Sequence, residues 1–146
     1  GDYNHPKKRF TGSGGNADIC SFAKKTVFIM VQEKRRFKEH VDYVTSPGWK
    51  IRNWPSGEWV SKKEVYGSYF QGGVSAVITD MAVFRFDENG EMYLDTVHPG
   101  FTVQDVIEHV GFKLNVSRVS GETLPPTKKQ IELLYNDIDP EGIFLP

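Results

Sequence analysis

Two hydrophobic periods organise the chain. Thr26-Val27-Phe28-Ile29-Met30-Val31 is a continuous, largely apolar and β-branched run, the pattern of a strand covered on both faces. Val74 to Thr79 is a second run of this kind. Met81 to Phe86 and Met92 to Val97 flank Asn89-Gly90, a pair favoured in tight turns, so an antiparallel hairpin is predicted. Phe112 to Val116 predicts a further strand, and Val41 to Thr45 a short one ended by Ser46-Pro47-Gly48. Helical signals fall between these runs. Thr102 to Val110 predicts a helix capped by Thr102, with Asp105 at the third helical position and Gly111 as its stop. Thr127 to Tyr135 predicts another, with Gln130 at the third position and Ile131, Leu134 and Tyr135 on one face. Asn16 to Ala23 reads as a shorter helix capped by Asn16. Strands and helices interleave, so the fold class is α/β.

Other stretches lack a period. Residues 1–10 are a polar, extended lead-in, and Leu124-Pro125-Pro126 is a stiff connector. Residues 49–73 carry all 3 tryptophans and few regular signals. They read as a long surface loop with at most one short element. Loops of that length usually serve function or an interface.

Composition narrows the classes. A chain of 146 residues suits one domain, residues 1–146, and can bury a core without disulfide staples. The formal net charge is −1, and the basic run Lys34-Arg35-Arg36 directly follows an acid, Glu33. No global field therefore recruits nucleic acid or an anionic membrane. No apolar run approaches the ~20 residues of a bilayer span. The polar first residues show no signal-peptide pattern. The single cysteine, Cys20, allows no intrachain disulfide and fits a reducing, cytoplasmic compartment. The start, Gly1-Asp2-Tyr3-Asn4-His5, lacks a methionine. It reads as a remnant of expression or as a cut inside a longer gene.

Few motifs carry chemistry. Gly12-Ser13-Gly14-Gly15 precedes a predicted helix, and bare backbone amides there can bind a phosphate, a carboxylate or a developing oxyanion. A tight turn into a helix explains the same residues equally well. No Lys-Ser/Thr pair follows, so it is not a P-loop. The third glycine of the dinucleotide fingerprint is absent. Asp87-Glu88-Asn89-Gly90 lacks the alternating carboxylates of a calcium loop and reads as the hairpin turn. His5, His40, His98 and His109 show no metal spacing, and a surface or core role is favoured for each. His98, before Pro99-Gly100, stands where functional loops of α/β proteins lie. No Gly-x-Ser-x-Gly elbow is present. Glu33, Arg35 and Arg36 follow a predicted strand. An anion site is open to them there, with a solvated or interdomain ion pair preferred.

Six stretches, in order, resemble the B subunit of glutaconate-type, family I coenzyme A transferases. They are Gly12-Ser13-Gly14-Gly15-Asn16-Ala17-Asp18-Ile19, Gln32-Glu33-Lys34-Arg35-Arg36-Phe37, Thr45-Ser46-Pro47-Gly48, Ala76-Val77-Ile78-Thr79-Asp80-Met81-Ala82-Val83-Phe84, His98-Pro99-Gly100-Phe101-Thr102-Val103 and Pro125-Pro126-Thr127. Only residues 49–73 look divergent or inserted. The resemblance implies a three-layer α/β open-sheet sandwich of the CoA-transferase type, incomplete here as the C-terminal portion of a B subunit. It implies CoA transfer between an acyl-CoA and a carboxylic acid through a glutamyl-CoA thioester. Coenzyme A is then a substrate, with no permanently bound cofactor and no metal, and a CoA-transferase A subunit is the partner. Gly14 and Gly15, with Asn16 beside them, take the oxyanion and CoA-binding role. The nucleophilic glutamate is expected upstream, outside this chain. Glu88-Asn89-Gly90 spells the family's catalytic triplet but stands after the glycine loop and in a predicted turn, so Glu88 is rejected as the nucleophile. Two other readings remain open. One is a ring-cleaving acyl-CoA hydrolase of the same fold. The other is a non-catalytic scaffolding subunit.

Overall fold

A computed structural model describes residues 4–5, 7–9, 12–41, 43–53 and 55–144. Helix α1 (Gly15–Phe22) leads into strand β1 (Lys25–Ile29). A small hairpin follows, β2 (Lys50–Arg52) with β3 (Trp59–Ser61), then a short helix α2 (Lys62–Tyr66). Strands β4 (Gly73–Ile78), β5 (Ala82–Phe86) and β6 (Met92–Val97) come next, then α3 (Val103–Glu108), β7 (Gly121–Glu122) and α4 (Lys128–Leu133). The main sheet has the order β1-β4-β5-β6-β7. β1 runs parallel to β4 and β7 parallel to β6, while β4-β5 and β5-β6 are antiparallel. The architecture is mixed α/β, as the interleaved periods predict.

One face of the sheet holds the core. Val77, Phe84 and Leu94 stand abreast on β4, β5 and β6, and all three are buried. Val106 and Val110, Phe37 and Leu114 close over them. A fully buried Phe, Leu or Val contributes about 1.5–3 kcal/mol, so this row stabilises the sheet and fixes its register. The next residue along each strand faces the other way. Val27, Ala76, Arg85 and Tyr93 form that opposite row. Arg85 there pairs with Asp95 at 2.6 Å.

The predicted hairpin forms as expected, and α3 carries the full capping box. The Thr102 hydroxyl accepts from the Asp105 amide, while the Asp105 carboxylate accepts from the Thr102 amide at 2.7 Å. The Thr102 hydroxyl also donates to that carboxylate, and these bonds hold it below its usual pKa. The same box forms in α4 between Thr127 and Gln130.

Other expectations need correction. The first apolar run is not covered on both faces. Among the described residues β1 pairs only with β4, at the edge of the sheet, and Val27 and Ile29 are 52% and 84% exposed. Asn16 does not cap α1. Gly14 occupies the cap position, and Asn16 lies within the first turn. Gly111 lies outside the positive-φ set, so it is not a left-handed helix stop. Its role is close approach: a Cβ would lie 2.6 Å from the Phe37 carbonyl, to which its amide donates at 2.7 Å. No strand forms over the described residues of 41–45, where Val41 and Tyr43 are exposed. Nor does 112–116 form one. A single bridge joins Tyr93 to Asn115. The Asn115 side chain then accepts the Ser117 amide at 3.0 Å and turns the chain away. The two-residue β7 is too short to show any period.

Residues 49–73 are not a loop. Strands of three residues cannot display a two-residue period, which is why the pattern concealed them. The segment is anchored by Trp49. Its indole Nε1 donates to the Val74 carbonyl at 2.8 Å, and its ring lies 5.9 Å from that of Phe70. Lys50 adds an ion pair to Glu91 at 2.6 Å. Gly90 makes the anchor possible. It has φ +77°, and a Cβ there would come within 2.3 Å of the Trp49 Cβ. Gly90→Ala is expected to lower stability by roughly 2 kcal/mol, from the strained turn and the displaced indole together. Urea unfolding checks this, and an unchanged midpoint would remove Trp49 as the anchor.

Candidate functional site

The glycine loop sits at the start of α1. Gly14 has φ +44° and ψ −126°, a combination that side chains rarely adopt. The Asn16 amide turns back to Ser13 O at 2.9 Å and that of Ala17 to Gly14 O at 3.0 Å. Among the described residues, the Gly14 and Gly15 amides meet no acceptor. A Cβ built on either glycine would find nothing within 4 Å. The loop is exposed, and its two backbone amides, without an acceptor among the described residues, lie at the positive end of a helix.

Its surroundings are built from residues far along the chain. The Asn16 side-chain amide donates to Ser46 Oγ at 2.8 Å. The Ser13 hydroxyl reaches Thr45 O at 3.5 Å. Buried Cys20 directs its thiol to Asn16 Oδ1 at 3.8 Å. Gly14, Gly15 and Asn16 are consecutive at the start of α1. Asn16 acts as a tether to Thr45-Ser46, a contact no sequence spacing indicates.

The other end of α1 holds a residue that the pattern does not single out. Lys62 is wholly buried, and its Nζ donates to Cys20 O at 2.7 Å. Burial pushes its pKa down from the ordinary 10.5, while the adjacent cysteine opposes that shift. Ser61-Lys62-Lys63-Glu64 reads as an ordinary polar helix start. Nothing in it distinguishes the buried lysine from its exposed neighbour.

The other candidates take structural roles. The Glu33 carboxylate bonds Arg35, and Arg36 at 3.1 Å. Both guanidiniums lower its pKa, and the preferred ion-pair reading describes this cluster. His98 bridges Thr79 O at 3.0 Å through Nε2 and Thr123 Oγ1 at 2.8 Å through Nδ1. A carbonyl can only accept, so Nε2 donates to Thr79 O. Thr79 also donates to Gln32 Oε1 at 2.8 Å, and Gln32 Nε2 donates to Val106 O at 3.1 Å. This network ties the ends of β1, β4 and β6 to α3. Glu88 is exposed in the hairpin turn. That turn is set by Asp87 Oδ1, which accepts the Asn89 and Glu91 amides at 2.9 Å each.

Among the described residues no cluster of metal-ligating side chains occurs, and no helix is long and apolar enough to cross a membrane. A groove of about 700 Å³ lies away from the loop, lined by Leu124, Ile131, Leu134 and Ile138. It belongs to the arm formed by α4 and the π-helical turn Leu134–Ile138. The predicted apolar face of that arm is present but open, with Ile131 at 41% and Tyr135 at 52% exposure.

The chain resembles known proteins along its whole length. The family model described as Coenzyme A transferase matches residues 1–109. The B subunit of glutaconate CoA-transferase from Acidaminococcus fermentans is 41% identical over 146 residues, covering 99% of this chain and 52% of that protein. The B subunit of 3-oxoadipate CoA-transferase from Pseudomonas knackmussii is 33% identical over 135 residues, covering 92% of this chain and 49% of that protein. The crystal structure of the Acidaminococcus fermentans glutaconate enzyme superposes with a TM-score of 0.74 at 40% identity, covering 100% of this chain and 53% of that one. The chain therefore spans about half the length of the curated relatives it matches.

Lys62 gives the site a pH signature. Its folded pKa lies below its unfolded value of 10.5. The unfolded chain therefore holds the proton longer, and stability rises with pH between those two values. Lys62→Met removes that rise. At neutral pH it is expected to shift stability by no more than about 1–2 kcal/mol, because relief of burying an ammonium offsets the lost bond to Cys20 O. Urea unfolding of both proteins across the alkaline range checks this. An unaltered alkaline slope in the variant would contradict the assignment.

Proposed function

This chain belongs to the coenzyme A transferase family, and we propose that it is the part of a B-type subunit that stabilises the oxyanion during CoA transfer between an acyl-CoA and a carboxylic acid. The observation that carries the reading is the pair of Gly14 and Gly15 amides, exposed at the start of α1 and without an acceptor among the described residues. The likeness to the B subunits of two named CoA-transferases supports it.

The chemistry follows from what such a loop can do. A glutamate carboxylate supplied from outside this chain attacks the thioester carbonyl carbon. The C=O π electrons move to oxygen, creating a tetrahedral oxyanion. Two amides at hydrogen-bond distance stabilise that charge, and loss of one such donor typically costs about 2.7–4 kcal/mol. Collapse expels the CoA thiolate and leaves an acyl-glutamyl anhydride. The thiolate then attacks the glutamyl carbonyl, releasing the first carboxylate and leaving a glutamyl-CoA thioester. An incoming carboxylate reverses these steps. The first and last additions both occur at the acyl carbonyl, so one pair of amides serves both. Glycine is suited to the task because a side chain would stand between the amides and the substrate.

Coenzyme A is a substrate in this reading and not a resident cofactor. The partner is an A subunit. The open β1 edge and the apolar face of α4 support an assembly in which other protein covers them. The lone, buried Cys20 agrees with a cytoplasmic setting.

The test uses the full-length subunit assembled with its A subunit. Gly15→Val places a side chain where nothing lies within 4 Å and where φ is not positive, so the fold is kept. Acceptor-dependent CoA exchange is expected to fall on the order of a hundredfold. The wild-type complex incubated with acyl-CoA should lose activity to borohydride, which reduces the glutamyl thioester. Thioester consumption without an acceptor and without borohydride sensitivity would instead establish a hydrolase. Unchanged turnover in Gly15→Val would remove the oxyanion assignment.

A further inference from the structure

We infer that Lys62 is a positioning residue for the Gly14-Gly15 loop, acting through α1 from the helix's opposite end; this rests on the oxyanion reading above. Three observations converge on it. First, the lysine is wholly buried, as deep as Phe84, Leu94 and Val106. Second, its ammonium donates to the carbonyl of Cys20 at 2.7 Å, across 42 residues of sequence. Third, α1 ends without a basic residue of its own in the last turn.

The last carbonyls of a helix have no intrahelical partner, and they carry the negative end of its dipole. A lysine or arginine in the helix's own last turn can meet this need while keeping its charge in water. Here the cation comes from α2, inside the protein. Desolvating an ammonium for one carbonyl is a poor source of stability, since an apolar side chain of similar volume often does as well. What the contact does supply is a fixed position for that end of the helix.

The position matters because α1 is short and its other end carries the site. Eight residues span about 12 Å, and hydrogen bonding makes them move as one rod. At the loop end, Asn16 is held by Ser46 at 2.8 Å. At the far end, Lys62 holds Cys20. With both ends tied, the direction of the Gly14 and Gly15 amides is set. With the Lys62 tie cut, the rod pivots about Asn16 and the amides swing away from the oxyanion. A misplacement of about 1 Å is enough to cost on the order of a hundredfold in rate. Residues 49–73 thereby reach the site without touching substrate.

The experiment compares wild type, Lys62→Met, Lys62→Arg and Gly15→Val in the full-length subunit assembled with its A subunit. Lys62→Met is expected to lower kcat about tenfold or more while the KM for acyl-CoA stays within about twofold. Rate constants are expressed per assembled complex, so loss of folded protein does not imitate the effect. Lys62→Arg keeps a cation and donors, and its kcat is expected to fall between wild type and Lys62→Met. If Lys62→Met fails to assemble, an assembled Lys62→Arg with lowered kcat and unchanged KM still supports the inference, and one with wild-type kcat overturns it. A Lys62→Met complex with wild-type kcat overturns it while Gly15→Val remains slow, leaving the functional reading intact. A wild-type complex with no acceptor-dependent exchange overturns both.

Discussion

The contact between the Trp49 indole and the backbone of the sheet is the constraint on which the front of the molecule depends. It is a contact of an aromatic ring with two glycines. Gly73 lies 3.3 Å from the ring by the position of its missing Cβ, and Gly90 lies closer still. Neither position accepts a side chain without moving the indole. The bond from Nε1 to Val74 O then orients the ring. From this one fixed point the chain runs through β2, β3 and α2, and the Lys62 amide donates back to Trp49 O at 3.0 Å. The lysine that meets α1 is therefore placed by the tryptophan that meets the sheet.

That arrangement gives the glycines of this chain distinct physical roles. Gly90 reads in the sequence as a turn residue, and it is one, with φ +77°. Its second role, making room for Trp49, is not visible without the fold. The triplet Glu88-Asn89-Gly90 is thereby explained without catalysis. Asp87 sets the turn, Gly90 admits the indole, and Glu88 points to solvent. Gly14 is different. Its backbone angles require glycine, yet a Cβ there would meet nothing within 4 Å. A glycine kept where nothing within the chain crowds it suits the approach of a ligand.

The sequence makes some of this legible and hides the rest for identifiable reasons. The hairpin β5-β6, strand β4 and the capped helices α3 and α4 are readable because each is long enough to show a period or carries a cap with its own chemistry. The glycine loop is readable as a candidate because its residues are consecutive. Ser46 and Lys62 are not, because their contacts to α1 span 30 and 42 residues. No local pattern marks which of two adjacent lysines turns inward. β1 misleads for the opposite reason. Its run of apolar residues is that of an interior strand, but no described strand or helix lies against its outer edge.

In the proposed reaction the Gly14 and Gly15 amides receive the thioester oxygen. This is tested most directly by a crystal structure of the full-length complex with a non-reactive acyl-CoA analogue whose thioester carbonyl is preserved. That oxygen is expected at about 3 Å from the Gly14 or Gly15 nitrogen, with α1 held by Ser46 and Lys62. An analogue bound with its carbonyl oxygen on other donors, and the glycine loop empty, would contradict it.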